Sequence, residues 1–300
     1  MARRVARSAS PQVERGPAPK ARTSRPATQS PGRSRLESHL RSLSKLQAHV
    51  RVEAEIGSGN CSVVLLGKDR SGQEVAVKAI SLKAAKTLGT DEQRIWGEVQ
   101  VMREVQHPNL AHLLDVMASW EPLPLVKAEP PFLCIIMEYL AHAEALSKRI
   151  REASLGPVER IVLQLASALA RLHRSDIVHR DVWAENILID RQDKVTLLDF
   201  GCAERLQKPA TNNKLNLPYM SPESAAGRPH DVGDDAWALG LLITEMVTGR
   251  FMADRLGRVD MSGAEVPSRN ILVAPNPFLH LHTPVALICH KLLQLRRQSV

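Results

Sequence analysis

Between Ile177 and Gly201, polar side chains are gathered at the ends of two short apolar runs. His179, Arg180, Asp181 and Asn186 precede Ile187–Ile189, and Asp199 directly follows Val195–Leu198. Gln192 and Asp193 form a polar turn between the runs, so the stretch reads as a hairpin of two strands. A hairpin brings the start of one strand beside the end of the other, and Asp181, Asn186 and Asp199 then converge. Carboxylates and a carboxamide around one point suit Mg²⁺ held together with phosphate oxygens. They also provide a base to accept a proton.

Three upstream stretches could serve such a site. Val50, Val52, Ala54 and Ile56 alternate with polar residues and lead into Gly57-Ser58-Gly59-Asn60-Cys61-Ser62-Val63-Val64. This is strand, glycine turn, strand, and glycines let backbone N–H groups approach phosphates closely. Glu74–Ile80 is a strand with Ala76, Lys78 and Ile80 on one face. A lysine inside such an apolar strand needs a partner for its ammonium. Thr90 and Gln93 form a capping box at the start of a helix with Ile95, Val99 and Met102 on one face. Glu98 lies on that face, and an inward carboxylate needs a cation. Lys78 is the candidate. The helix stops before His107-Pro108. Strands are expected over Leu110–Met117 and Phe132–Met137, with a loop of four prolines over 118–131 between them. Helices are expected over 158–174 and up to about Thr248, the latter apolar all round and therefore buried.

Taken together these motifs resemble the eukaryotic protein kinases. His179-Arg-Asp181 followed by Asn186 and then Asp199-Phe-Gly201 looks like the catalytic loop and metal loop of that family. Val75-Ala-Val-Lys78 is similar to its V-A-I-K strand, and Gly57–Ser62 to its glycine-rich loop, with Ser62 in place of the third glycine. Ser221-Pro-Glu223 resembles Ala-Pro-Glu, and Asp235-Ala-Trp237-Ala-Leu-Gly240 resembles Asp-x-Trp-x-x-Gly, whose aspartate anchors the catalytic-loop backbone. The resemblance implies an α+β, two-lobed fold: a small lobe with an antiparallel sheet and one key helix, and a larger helical lobe. ATP and Mg²⁺ are the implied ligands and a protein the implied substrate. Asp181 would orient the acceptor hydroxyl and take its proton, and Asn186 and Asp199 would hold Mg²⁺. Lys78, fixed by Glu98, would hold the α- and β-phosphates under the Gly57, Ser58, Gly59, Asn60, Cys61 and Ser62 loop. Val64, Ala76, Met137 and Leu188 would line the nucleotide site. The main chain of Glu138 and Leu140 would meet adenine, and Glu144 would stand near the ribose. Glu185, where Tyr kinases carry arginine, implies Ser/Thr acceptors.

Three positions depart from the pattern. Trp183 stands where Ser/Thr kinases have lysine, Asn216 where they have threonine, and the chain ends at Val300 where a further helix and its arginine are expected. Arg296 or Arg297 could then pair with Glu223. These departures sustain a rival reading, a catalytically weak or inactive pseudokinase scaffold. Arg180 and Thr211, the one hydroxyl residue between Gly201 and Tyr219, imply an upstream kinase that phosphorylates Thr211. Cys202, next to Gly201, is expected at the rear of the nucleotide site.

Composition bounds the rest. The 300 residues carry a formal net charge of +8, 44% hydrophobic residues and only 3% aromatic ones. Much of the positive excess lies in an arginine-rich start that lacks large apolar residues. Residues 1–48 are therefore expected as a disordered basic tail, within which Leu36, Leu40, Leu43 and Leu46 recur at loose helical spacing that suits a short helix leading into the domain. The kinase domain is expected over 49–300, with the small lobe at 49–138, the large lobe at 139–300 and an incomplete set of C-terminal helices. Cys61, Cys134, Cys202 and Cys289 form no paired motif, which fits a reducing compartment, cytoplasmic or nuclear. No apolar run is long enough to span a membrane. Nucleic acid is not expected as a partner, because the charge reads as a solvated tail.

Overall fold

The computed structural model describes residues 35–90, 92–206, 217–225 and 227–251. Thr211, Asn216, Cys289, Arg296, Arg297 and the first 34 residues lie outside that range. The first described element is helix α1, Arg35–Ser42, followed by a 3₁₀ turn at Leu46–Ala48. Described secondary structure therefore begins before the expected boundary at residue 49. The reason is burial: Leu36, Leu40 and Leu46 are all in the core. The loose leucine spacing was the stronger signal, and the basic composition the weaker.

The small lobe is a five-stranded antiparallel sheet in the order β1-β2-β3-β5-β4. Its strands are β1 (Val50–Ser58), β2 (Ser62–Asp69), β3 (Glu74–Ser81), β4 (Leu113–Ser119) and β5 (Phe132–Glu138). Between β3 and β4 come a short helix α2 (Leu82–Thr87), capped by Ser81, and α3 (Glu92–Glu104). Strand β4 starts three residues later than the sequence suggests. Leu110 is instead drawn into a parallel bridge with Leu197, and Asn109 is bonded to Val195 O at 2.7 Å. Directly opposed residues share a face of a sheet. The pairings Val64 with Lys78, Leu66 with Ala76 and Ala76 with Met137 thus put Val64, Ala76, Lys78 and Met137 on one face. The other face packs Leu65, Val75, Val77, Phe132 and Cys134 beneath Leu46 and Leu123. Leu123 belongs to the proline-rich loop, which lies against the sheet and does not project from it.

The large lobe begins with β6 (Glu144–Ala145) and α4 (Leu146–Arg151), then α5 (Val158–His173) and β7 (Ile177–Val178). The expected hairpin is β8 (Ile187–Ile189) and β9 (Val195–Leu197), closed by Asp193 in the left-handed region at φ 59°. The turn is fastened by Asp190 Oδ1, which accepts from Gln192 N at 2.8 Å and Lys194 N at 2.9 Å, while Arg149 holds the Asp193 carboxylate at 3.1 Å. Strand β10 (Glu204–Arg205) pairs antiparallel with β7. The chain after Gly201 is thus tied to the large lobe through this pairing. A short helix α6 (Pro222–Ala225) precedes α7 (Val232–Thr248), which has a capping box formed by Asp231 and Asp234 and ends at Gly249, φ 66°. Most of α7 is buried, as its all-round apolar pattern requires. No helix among the described residues is long and apolar enough to cross a membrane.

Candidate active site

Lys78 reaches its partners from the cleft face of β3. Its Nζ donates to Glu98 Oε1 at 2.7 Å and to Asp199 Oδ1 at 2.8 Å. Lys78 is 8% exposed and Glu98 3%. Burial opposes the charge on Lys78, but the two carboxylates outweigh it and raise its pKa above the ordinary value. Burial likewise pushes Glu98 up, against the ammonium that faces it. For Asp199 burial also pushes upward. Lys78 and the Gly201 N–H, which donates to Oδ1 at 3.0 Å, prevail and hold the group below its usual range. A charge-assisted triad of this kind stays ionised only while all three members are in place.

Asp181 and Asn186 meet through the loop before β8. Asn186 Nδ2 donates to Asp181 Oδ2 at 2.7 Å and to Asp181 O at 3.0 Å. The amide hydrogens are thereby spent, so the carboxamide oxygen is what Asn186 retains for a cation. Asp199 likewise retains Oδ2, on a side chain 42% exposed. One carboxylate oxygen and one carboxamide oxygen are hard donors that fit Mg²⁺. Among the described residues no group of three or more His, Cys, Asp or Glu could hold a metal alone. Mg²⁺ shared with phosphate oxygens needs only one or two protein ligands.

Backbone ties bring the two groups together. Leu198 N–H donates to Asn186 O at 2.8 Å, and His179 Nε2 lies 3.1 Å from Leu198 O. The His179 ring also meets Phe200 edge-on, with centroids 5.3 Å apart. Beneath them Asp235, fully buried, accepts from His179 N at 2.8 Å, Arg180 N at 2.7 Å and His173 Nε2 at 2.8 Å. Burial would raise its pKa, but these donors hold it below the usual carboxylate range. Arg180 and Asp199 both adopt left-handed backbone, φ 68° and 61°. Non-glycine residues hold such conformations only where surrounding bonds fix them, and here Asp235 and Gly201 supply those bonds.

The remaining predicted residues fall as follows. The glycine loop narrows to Gly59–Cys61, because β1 runs on through Gly57 and Ser58, and β2 starts at Ser62. Gly59 N–H closes the tip on Ser62 O at 2.7 Å, and an added Cβ at Gly59 would stand 3.2 Å from Ser62 Oγ. Cys61 O accepts from Ser81 N at 3.0 Å, and burial pushes the Cys61 thiol up. Asn60 lies at the tip. Leu188 in β8 and Glu144 in β6 lie in the large lobe, with Glu144 opposite Ile189. The Glu144 carboxylate is held by Lys148 at 2.7 Å and Arg149 at 3.8 Å, so a ribose contact would have to compete with both. Glu138 N–H donates to His112 O at 3.2 Å, and Leu140 O accepts from Ala143 N at 3.1 Å. Cys202 Sγ sits 2.8 Å from Arg94 Nη2. Burial and the nearby Asp181 carboxylate push its thiol up to about 11, which lowers its thiolate fraction at neutral pH.

Three residues were not legible as site residues. Arg94, on α3, binds Gly201 O and Cys202 and ties the helix to the Asp199 loop. Glu204 pairs with Arg180 at 2.6 Å, and His230 Nε2 lies 2.9 Å from Arg180 Nη2. His230 Nδ1 is 3.1 Å from Asp234 Oδ2. All three act over long sequence separations with no motif to announce them. Trp183 packs on Tyr219, ring centroids 5.9 Å apart, and its Nε1 is enclosed with no hydrogen-bond partner among the described residues.

Comparison with known proteins identifies the family. Residues 50–274 match the protein kinase domain family, and the chain belongs to it, as a eukaryotic-type protein kinase domain. It is similar to the cell division control protein 2 homolog 3 of Trypanosoma brucei brucei, 33% identical over 207 residues, 66% of this chain and 62% of that protein. It is also similar to the serine/threonine-protein kinase shk2 of Schizosaccharomyces pombe, 31% identical over 211 residues, 66% of this chain and 33% of that one. Sperm motility kinase 2B of Mus musculus is 32% identical over 249 residues, 75% of this chain and 48% of that protein. The chain thus spans between 33% and 62% of the length of these relatives.

Proposed function

We propose that this chain transfers the γ-phosphoryl group of ATP to serine or threonine hydroxyls of a protein substrate. The observation that carries the reading is the pairing of Lys78 with both Glu98 and Asp199, beside the bonded Asp181–Asn186 pair. Lys78 would position the α- and β-phosphates, and Asp181 would orient the acceptor hydroxyl and take its proton. Asn186 and Asp199 would hold Mg²⁺, which neutralises phosphate charge as the phosphoryl group moves. Similarity to the serine/threonine-protein kinase shk2 supports the Ser/Thr acceptor class, as does Glu185 at the position where Tyr kinases carry arginine.

A second reading, a weak or inactive scaffold, is favoured by one observation. Trp183 replaces the expected lysine, and its enclosed N–H offers nothing to a phosphoryl group. An upstream kinase acting on Thr211 has less to support it, because a phosphate there would have to displace Glu204 from Arg180. The deciding experiment is Mg·ATP-dependent phosphate incorporation into a degenerate peptide library, with Asp199→Ala as control. Incorporation above the control, on serine and threonine, supports transfer; equal signals leave the scaffold.

A further inference from the structure

Residues 35–48 precede the family match, which starts at residue 50, yet they are built into the small lobe. Helix α1 packs against α3 and β4. Leu36 and Leu40 enter the same apolar cluster as Ile95, Val99 and Met102 of α3. The His39 ring stacks on Trp96 at 5.3 Å, and the Arg103 guanidinium covers Trp96 at 5.7 Å. Leu36 N–H donates to Glu92 Oε2 at 3.4 Å. The rest of the segment is fastened to the end of β4. Ala118 N–H donates to Ser44 O at 2.9 Å, Gln47 Nε2 to Ser119 Oγ at 2.6 Å, and Arg41 lies over Trp120 at 4.6 Å. The segment thus clasps α3 to the sheet.

This clasp bears on the chemistry through Glu98, two residues beyond Trp96. Glu98 meets Lys78 only while α3 lies against the sheet, and a buried carboxylate that loses its cation is strongly disfavoured. From its other end α3 is tied to the Asp199 loop by Arg94. We infer that residues 35–48 are a positioning element for the Lys78–Glu98 pair, with Leu36 and Leu40 as positioning residues for phosphoryl transfer. Without them Ile95, Trp96, Val99 and Met102 lose apolar cover, and the helix has less to hold it in the paired position. A two-state element biased in this way transmits coupling of about 5- to 150-fold. For activity the inference rests on the kinase reading above; for the position of α3 it does not.

The test uses the full chain with Leu40→Asp, with Leu40→Met as the conservative control. Two readouts are taken: hydrogen exchange of the α3 amides against those of α5 and α7, and kcat and KM for Mg·ATP with an unphosphorylated acceptor peptide drawn from the library. In Leu40→Asp, α3 exchange should rise on the order of tenfold while α5 and α7 stay at wild-type rates, and kcat should fall by a similar factor. Leu40→Met should restore both. If the aspartate variant does not fold, Leu40→Ala takes its place with the same comparison. Unchanged α3 exchange overturns the inference, and so does a rise shared equally by α5 and α7, which would make α1 ordinary packing. Were the wild type inactive on every peptide, the kinase reading would fail while the exchange comparison still decided the position of α3.

Discussion

On the nucleotide side of the cleft, Lys78 is held by two carboxylates, the farther at 2.8 Å, and each member's charge depends on the others. On the acceptor side, Trp183 leans on Tyr219, whose hydroxyl donates to Glu245 Oε1 at 2.7 Å, and the indole N–H is enclosed without a partner among the described residues. One side is organised by charge and the other by shape. Buried charges fail together when one is removed, whereas packed rings tolerate replacement by others of like volume. The nucleotide side should therefore be unforgiving of substitution and the acceptor side adjustable.

The largest expected effect is from Lys78→Met. Phosphotransfer should drop about 10²- to 10³-fold, the usual cost of removing one preorganised electrostatic donor. Glu98 and Asp199 would then face each other without their cation, a loss on the order of 3 kcal/mol. Denaturant melts should show that loss with far-ultraviolet circular dichroism unchanged. A variant that retains the wild-type rate would remove Lys78 from the chemistry.

Trp183→Lys probes the other side. A cation there would face the developing charge on the phosphoryl group, so kcat should rise by up to about a hundredfold. KM for ATP should scarcely move, since the nucleotide side is untouched. A slower variant at saturating peptide would mean that the ring's packing on Tyr219 outweighs the missing charge.

Beneath both sides lies Asp235. Its folded pKa is depressed, so it contributes stability that is present above the ordinary carboxylate range and is lost as pH falls through the folded value. Asp235→Asn should cost about 1–3 kcal/mol at neutral pH, because the amide cannot accept from all three donors. It should also flatten the fall in stability below pH ~4, read by chemical melts from pH 7 downward. An unaltered pH profile would assign acid sensitivity elsewhere. The smallest effect should come from Trp183→Phe. The lost N–H bonds to nothing described, so melting and rate should stay close to wild type, within about 1 kcal/mol. A large rate loss would show that the indole N–H meets the substrate.

The sequence made the charged side of the cleft readable and the packed side much less so. A lysine in an apolar strand and a glutamate on an apolar helix face each violate a local pattern, and each violation asks for a partner. That logic leads to Lys78 and Glu98 with no structure in hand. Asp181, Asn186 and Asp199 were readable because a hairpin fixes which ends meet. Arg94, Glu204 and His230 break no local pattern, since charged residues on a helix face or a loop are normal. Their partners lie over 20 residues away, and only the fold selects them. The segment 35–48 was only half readable for a related reason. Its basic composition continues the preceding tail, and its leucines gain meaning only against Ile95, Val99 and Trp96.

The corner around Arg180 has a consequence for where its hydrogens reside. A guanidinium can only donate, so His230 Nε2, 2.9 Å from Arg180 Nη2, must present a bare lone pair. The ring proton then sits on Nδ1, aimed at Asp234 Oδ2. Ser224 Oγ donates to Asp234 Oδ1 at 2.7 Å, and Ser221 Oγ donates to the same oxygen. Ser224 Oγ also lies 3.0 Å from His230 Nδ1, and the direction of donation runs from both sides toward Asp234. In a ¹⁵N spectrum the two ring nitrogens of His230 would separate widely, Nε2 at the pyridine-like end and Nδ1 at the pyrrole-like end. The tautomer of a histidine at the start of α7 is in this way dictated by an arginine 50 residues earlier in the chain.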